Sequence, residues 1–166
     1  MAFAIEQEHD SNIIDELEYG FHQLSWPIER HDDNIIALEA EGHWSVYDLG
    51  IVWFREDNCL HISCRPQLGF SLEDRAFKDN TEMMMRINND LLYGHFDCCP
   101  DDQTPTYRLG MILGQQYITM DIVVDVIERA ITLYEEYYPA FHLYKTKQMT
   151  PENALKAAMI TVDGRA

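Results

Sequence analysis

Basic residues are scarce in this sequence. The 166 residues include 12 Lys and Arg against 29 Asp and Glu, which leaves a formal net charge of -17 at pH 7. The closest basic pair is Lys145 and Lys147, so no basic patch offsets that charge. A surface of this sign repels nucleic-acid phosphates and anionic lipid headgroups. The composition therefore argues against binding to nucleic acid and against binding to a membrane.

Long hydrophobic runs are missing as well. The most apolar stretch, MDIVVDVIERAITLY, is interrupted by Asp125, Glu128 and Arg129, so it is too polar to cross a bilayer. The first ten residues, MAFAIEQEHD, have neither the basic start nor the apolar stretch of a signal peptide. We therefore expect a cytoplasmic protein, in which the four cysteines are reduced thiols.

The stretch HFDCCPDD, which begins at residue 95, contains several residue types that bind metals. On a strand, His95, Asp97 and Cys99 would share one face, and Cys59 or His61 of another strand would complete a tetrahedral zinc site. However, the sequence contains no C-x2-C or H-x3-H pair, which is the spacing that places two ligands on one ion. A zinc site is therefore the less favoured interpretation of this stretch.

The favoured interpretation of the same stretch is structural. The chain would bury Phe96 and Cys98 on one side of a short strand and turn at residues 100–102, because free cysteine packs as a small hydrophobic residue. No metal and no other cofactor is then expected. The sequence also lacks a G-x-S-x-G motif and a phosphate-binding loop, and its paired carboxylates fall in turns or on helix flanks. We therefore expect a protein that is not an enzyme.

Apolar residues recur with helical spacing in some segments and at alternate positions in others. These periods predict an α+β fold with the element order α-βββ-α-ββ-α-α, in which helices pack on an antiparallel sheet made of a three-stranded meander and a two-stranded hairpin. Residues 1–166 are expected to form a single domain with a core at about 11–163. Capping residues and prolines set the expected helices: from Ser11 to before Pro27, from Ser71 to about Tyr93, from Thr119 to Tyr137 with Pro139 closing it, and from Pro151 onward.

Several segments resemble the YbjN family of small bacterial proteins. They are WSVYDLGIVWFREDNCLHISC, INNDLLYGHFD, YEEYYPAFHLY and TPENALKAAMITVDG, and the likeness extends from about Glu16 to Gly164. The family is described as sensory-transduction regulators, and its fold resembles that of class I type III secretion chaperones. The resemblance implies a regulatory or chaperone-like role without a defined reaction, because a fold alone does not fix a function.

Apolar residues also occupy more positions than one buried face needs. Trp44 and Phe54 are expected on one face of a strand and Trp53 on the other, while the helix Thr119–Tyr137 is apolar around more than one stripe. Either the chain buries all these positions itself, or some of them contact a partner. The residues predicted to form a partner or dimer surface are Trp44, Trp53, Phe54, Val123, Ile127 and Tyr134.

We therefore expect a regulatory or chaperone-like protein that binds apolar segments of other proteins and forms a homodimer. Three consecutive methionines, Met83–Met85, suit an adaptable contact surface, and at least one must point away from the core because helical neighbours are about 100° apart. The alternative is a small-molecule or metal-binding sensor. An enclosed pocket with perturbed titratable groups would favour the sensor, and an open apolar groove would favour protein binding.

Overall fold

The computed structural model describes residues 12–67, 71–98, 100–101, 103–114 and 118–163. The described residues form four helices and six strands. In chain order they are α1 (Ile13–Gln23), β1 (Ile28–Asp32), β2 (Ile35–Glu41), β3 (Val46–Phe54), β4 (Cys59–Pro66), α2 (Phe77–Asn88), β5 (His95–Cys98), β6 (Pro105–Ile112), α3 (Met120–Thr146) and α4 (Pro151–Asp163).

All six strands belong to one antiparallel sheet with the spatial order β1-β2-β3-β4-β6-β5. The first four strands form a meander, and the β5–β6 hairpin joins it because β6 pairs with β4. The predicted α+β class and antiparallel sheet are confirmed. The meander has one strand more than predicted, since Ile28–Asp32 pairs with β2. The sequence HFDC forms β5, as the structural interpretation of that stretch predicts.

The two faces of the sheet differ in what covers them. On β3, Tyr47, Leu49 and Ile51 point toward the helices and are buried, whereas the residues between them remain partly exposed. Strands β2 and β4 alternate in the same way. In the described ranges, α1 and α3 pack on the inward face, and the outward face carries no helix. The helices that the structure describes therefore cover one face of this sheet.

Helix α3 is nine residues longer than predicted. It runs through Pro139 to Thr146, so the prediction that Pro139 ends it is wrong. Proline in a helix removes one backbone hydrogen bond, at a cost of about 3 kcal/mol. Burial of Phe141 and Tyr144 on the inward stripe offsets that cost, because both side chains are fully buried in the core.

The other helices begin close to their expected caps, with one exception. The N-cap of α1 is Asn12, whose Oδ1 accepts a hydrogen bond from the Ile14 N–H at 2.9 Å, while Ser11 lies outside the described residues. Helix α4 begins at Pro151, as predicted. Helix α2 begins six residues after Ser71, because the Ser71 hydroxyl accepts from a backbone N–H two residues later and forms a turn instead.

A buried amide on α2 ties three segments together. Asn80 is fully buried, and its Nδ2 donates to the Leu72 carbonyl at 3.0 Å and to the Gln103 Oε1 at 2.8 Å. Its Oδ1 accepts from the Tyr144 hydroxyl of α3 at 2.7 Å. Since buried polar groups are costly unless they are paired, this network fixes α2 against α3.

We predict that Asn80→Ala lowers the free energy of unfolding by about 2–3 kcal/mol, because it leaves the Tyr144 hydroxyl and the Leu72 carbonyl buried without partners. Urea unfolding followed by circular dichroism measures the change. Asn153→Ala, on the exposed side of α4, is the matched control and should change stability by less than about 0.5 kcal/mol. Equal effects of the two substitutions would contradict the prediction.

Candidate functional site

A shallow groove of about 990 Å³ lies between α2 and α4. Its apolar lining comes from Met85 on α2 and from Leu155 and Met159 on α4. Met85 is 68% exposed and Met159 is 66% exposed, while Leu155 is partly buried. Two methionines this exposed, on neighbouring helices and lining one groove, mark the clearest apolar surface on the helical side of the protein.

The local sequence explains why these side chains face outward. Met83 and Met84 are buried in the core, so Met85, the next residue around the helix, points away from it. The expectation that at least one of the three methionines faces outward is confirmed. On α4, Ala154 and Ala158 are buried, and these small residues allow α4 to approach its neighbours closely. Leu155 and Met159, one position further round, are thereby turned toward the groove.

Two ion pairs lie along the rim of the groove, one on each helix. On α2, the Arg86 guanidinium contacts the Glu82 carboxylate at 2.8 Å, and on α4 the Lys156 ammonium contacts the Glu152 carboxylate at 2.6 Å. The hydrogen bond and charge of Lys156 hold the pKa of Glu152 below its ordinary value. Both pairs have i,i+4 spacing, so each joins residues on one helix and leaves the space between the helices open.

The groove continues into a smaller pocket of about 190 Å³ between α2, α3 and α4. Ile87, Tyr137, Ala140 and Ala158 line this pocket, and Leu155 belongs to both cavities. Its volume is below the roughly 300–1,000 Å³ of typical small-molecule sites. A pocket of this size beside an open groove suits a single apolar side chain of a larger partner.

Three of the predicted surface residues lie in the core instead. Val123, Ile127 and Tyr134 are fully buried, so in the folded chain they offer no surface to a partner. Their spacing of four and seven residues places them on one stripe of α3, and the Tyr134 ring packs against Tyr47 of the sheet at 5.1 Å. The sheet of the same chain thus covers these positions.

The three other predicted residues do not form one surface. Trp44 lies in the β2–β3 connection, is 44% exposed, and stacks on Tyr138 of α3 with ring centroids 6.0 Å apart. Trp53 points inward and is partly buried, with the Arg55 guanidinium 4.7 Å from its ring. Phe54 is 50% exposed on the outward face of the sheet. Among the six predicted residues, Phe54 and Trp44 thus have substantial exposed surface, and they lie apart from the groove.

One of the possible zinc ligands, Asp97, is already paired with a cation. His95 and Asp97 do share the outward face of β5, but the Asp97 carboxylate accepts a hydrogen bond from the Arg108 Nε at 2.6 Å. Burial, followed by the charge of Arg108, lowers the pKa of His61 on the same face. Cys99 lies outside the described residues. No group of three histidine, cysteine or acidic side chains suited to a metal ion occurs within the described ranges.

Sequence reasoning missed the groove because it evaluated the two helices separately. The outward methionine on α2 and a last helix from Pro151 onward were both expected. The missing information was that these two helices are neighbours. A signal was present on α4, whose apolar stripe is wider than the Ala154 and Ala158 pair that it buries.

Comparison with protein families identifies a family for this chain. None of the helices that the structure describes is both long enough and apolar enough to span a membrane. No curated protein sequence matches the chain. The profile of the YbjN family, described as "Putative bacterial sensory transduction regulator", matches residues 14–143. That match extends from α1 through most of α3 and leaves α4, one wall of the groove, outside it. Since the match covers most of the chain, the protein belongs to the YbjN family.

Proposed function

We propose that this protein is a cytoplasmic, non-enzymatic regulator that binds an amphipathic helix of a partner protein in the α2–α4 groove. The observation that carries the proposal is the exposure of Met85 and Met159 along one groove. Methionine is unbranched and polarisable, so a surface of this kind adapts to partners of different shape. The regulatory part of the proposal follows from the description of the family.

A helix fits this groove better than an extended strand does. The groove has two helices as its walls, and an apolar stripe on a third helix packs between two such walls by the usual ridges-into-grooves contacts. The pocket near Tyr137 and Ala140 lies at the base of the groove and accepts one large apolar anchor from the partner. A strand would need an open sheet edge, which α2 and α4 do not offer.

The charge of the protein favours partners with a basic polar face. The net charge of -17 steers positively charged segments toward the protein and repels acidic ones. At the rim, Arg86 and Lys156 are each paired with a glutamate of their own helix, so they do not oppose that attraction strongly. An apolar stripe on a basic helix is therefore the chemistry that the groove suits best.

We predict that Met85→Glu and Met159→Glu each weaken partner binding, because each places a charge in the apolar lining. Tagged wild-type and variant proteins would be used to capture proteins from a native extract. Helical segments of the captured proteins would then be titrated against each variant by fluorescence anisotropy. A loss of about tenfold or more in affinity is expected for either substitution.

Leu92→Glu is the matched control, because Leu92 is 82% exposed but does not line the groove. All three variants should unfold at the same urea concentration as the wild type, since none of the three side chains is buried. If Met85→Glu and Met159→Glu bind a partner as tightly as Leu92→Glu does, the groove is not the binding site of that partner.

The sensor alternative makes a different prediction for metal content. We expect the purified protein to contain no stoichiometric zinc, because Asp97 is paired with Arg108 and the sequence lacks paired ligand spacing. Elemental analysis after gel filtration is the measurement. Zinc bound at a one-to-one ratio, and lost in His95→Ala, would favour the metal-sensor alternative.

A further inference from the structure

The outward face of the sheet carries an apolar patch where an uncovered antiparallel sheet is usually polar. Among the described outward positions, all but Thr106 keep part of their surface exposed. The pairing register places Ile35, Val52 and His61 in one row across β2, β3 and β4. The next row contains Phe54, which is 50% exposed, together with Cys59 and Ile112, which is 84% exposed. The two rows form one patch, named here the outer patch.

The charged residues of this face are divided between its two halves. The half formed by β1, β2 and β3 has five outward acids, Glu29, Asp32, Glu39, Glu41 and Asp48, with His31 beside Glu29 and no outward Lys or Arg. The half formed by β4, β6 and β5 has Arg65, Arg108 and His95 against one acid, Asp97. His61 also lies there, but burial and the charge of Arg108 lower its pKa and favour the neutral form. The line between the halves runs between β3 and β4, which is also the centre of the six-stranded order.

We propose that two copies of this chain pack through these outward faces, about a two-fold axis that runs parallel to the strands between β3 and β4. This rotation exchanges the two halves of the sheet, so the acidic half of each copy lies over the basic half of the other. It also keeps position along the strands, so the two outer patches lie over each other. One surface thereby satisfies apolar burial and charge complementarity together.

The register makes the contacts specific. Rotation about that axis places β3 over β4 of the second copy, and β1 over its β5. Asp48 then lies over Arg65 of the second copy, because the two residues are cross-strand partners in each sheet. Glu29 and His95 also occupy the same row, through Ala37, Gly50, Ser63 and Arg108, so Glu29 lies over His95 of the second copy.

The other two-fold axis in the plane of the sheet fails on both counts. An axis perpendicular to the strands places each half of the sheet over its own copy, so acids meet acids on β2 and β3. When this axis passes through the middle of the strands, it also reverses position along them and puts the row of Glu39 and Asp48 over the row of Phe54 and Ile112. Two chains of net charge -17 require an interface that does not add repulsion, and only the axis parallel to the strands provides it.

The first test is the oligomeric state of Ile112→Glu, measured by sedimentation equilibrium at micromolar concentration and 0.15 M salt. Wild-type protein should be dimeric, and the substitution should raise the dissociation constant about tenfold or more, since the charge enters the interface twice. Leu92→Glu is the control, because Leu92 is equally exposed in the monomer but lies after α2, away from the sheet face. A monomeric wild type, or equal effects of the two substitutions, overturns the proposal.

The second test fixes the axis by a charge exchange between opposite edges of the sheet. Glu29→Lys should weaken the dimer, and adding His95→Glu should restore it. Within one chain the two residues are five strand spacings apart, roughly 24 Å, so restoration has to come from the second copy. A dimer that the double variant fails to restore overturns the proposed axis. Neither test depends on partner binding at the α2–α4 groove, so the two proposals succeed or fail separately.

Discussion

Tyr134 is the residue through which the long helix α3 is attached to the sheet. Its ring lies 5.1 Å from that of Tyr47 on β3 and 5.3 Å from that of Phe96 on β5, and its hydroxyl donates to the Pro105 carbonyl at 2.7 Å. Burial raises the pKa of Tyr134, so the phenol stays neutral and remains a donor. One side chain thus connects α3 to three strands of the sheet, β3, β6 and β5.

The position of α3 in turn determines where the groove forms. The part of α3 beyond Pro139 carries Phe141, which packs against Phe96, and Tyr144, which holds Asn80 of α2. Ala140 lies on the same part of the helix and lines the pocket with Ala158 of α4. If α3 ended at Pro139, α4 would lose part of the surface on which it packs, and Asn80 of α2 would lose its hydrogen bond to Tyr144. Because α3 continues through Pro139, it gains about two further turns, and these turns support the groove.

The elements that the sequence predicted correctly are those in which one local period decides the outcome. Alternation of Tyr47, Leu49 and Ile51 identifies a half-buried strand without knowledge of its neighbours. The bounds of α3 were wrong because the local effect of Pro139 is outweighed by burial of Phe141 and Tyr144, which depends on residues far away in the chain. Intrinsic preferences are weak compared with such packing, and a single sequence does not show the packing partners.

The candidate site shows the same division between local and distant information. Outward orientation of one methionine in Met83–Met85 follows from helix geometry alone, and the structure confirms it. The assignment of Val123, Ile127 and Tyr134 to a partner surface was wrong because the sheet of the same chain covers this stripe of α3. The sequence pattern of the helix does not show which element covers it. The groove joins α2 to a helix that begins 63 residues after α2 ends, so neither helical pattern could reveal it.

The two proposed surfaces have different chemistry and share no residue. The α2–α4 groove is lined by flexible methionines and bordered by locally paired charges, which favours adaptable binding to segments of different sequence. The outward sheet face combines branched and aromatic residues with charges separated into halves, which favours one fixed geometry. A dimer formed through the sheet leaves both grooves open to solvent. Such a dimer would present two grooves to a partner that carries two suitable helices. If the linker between those helices spans the distance, the two contacts together would bind far more tightly than either contact alone.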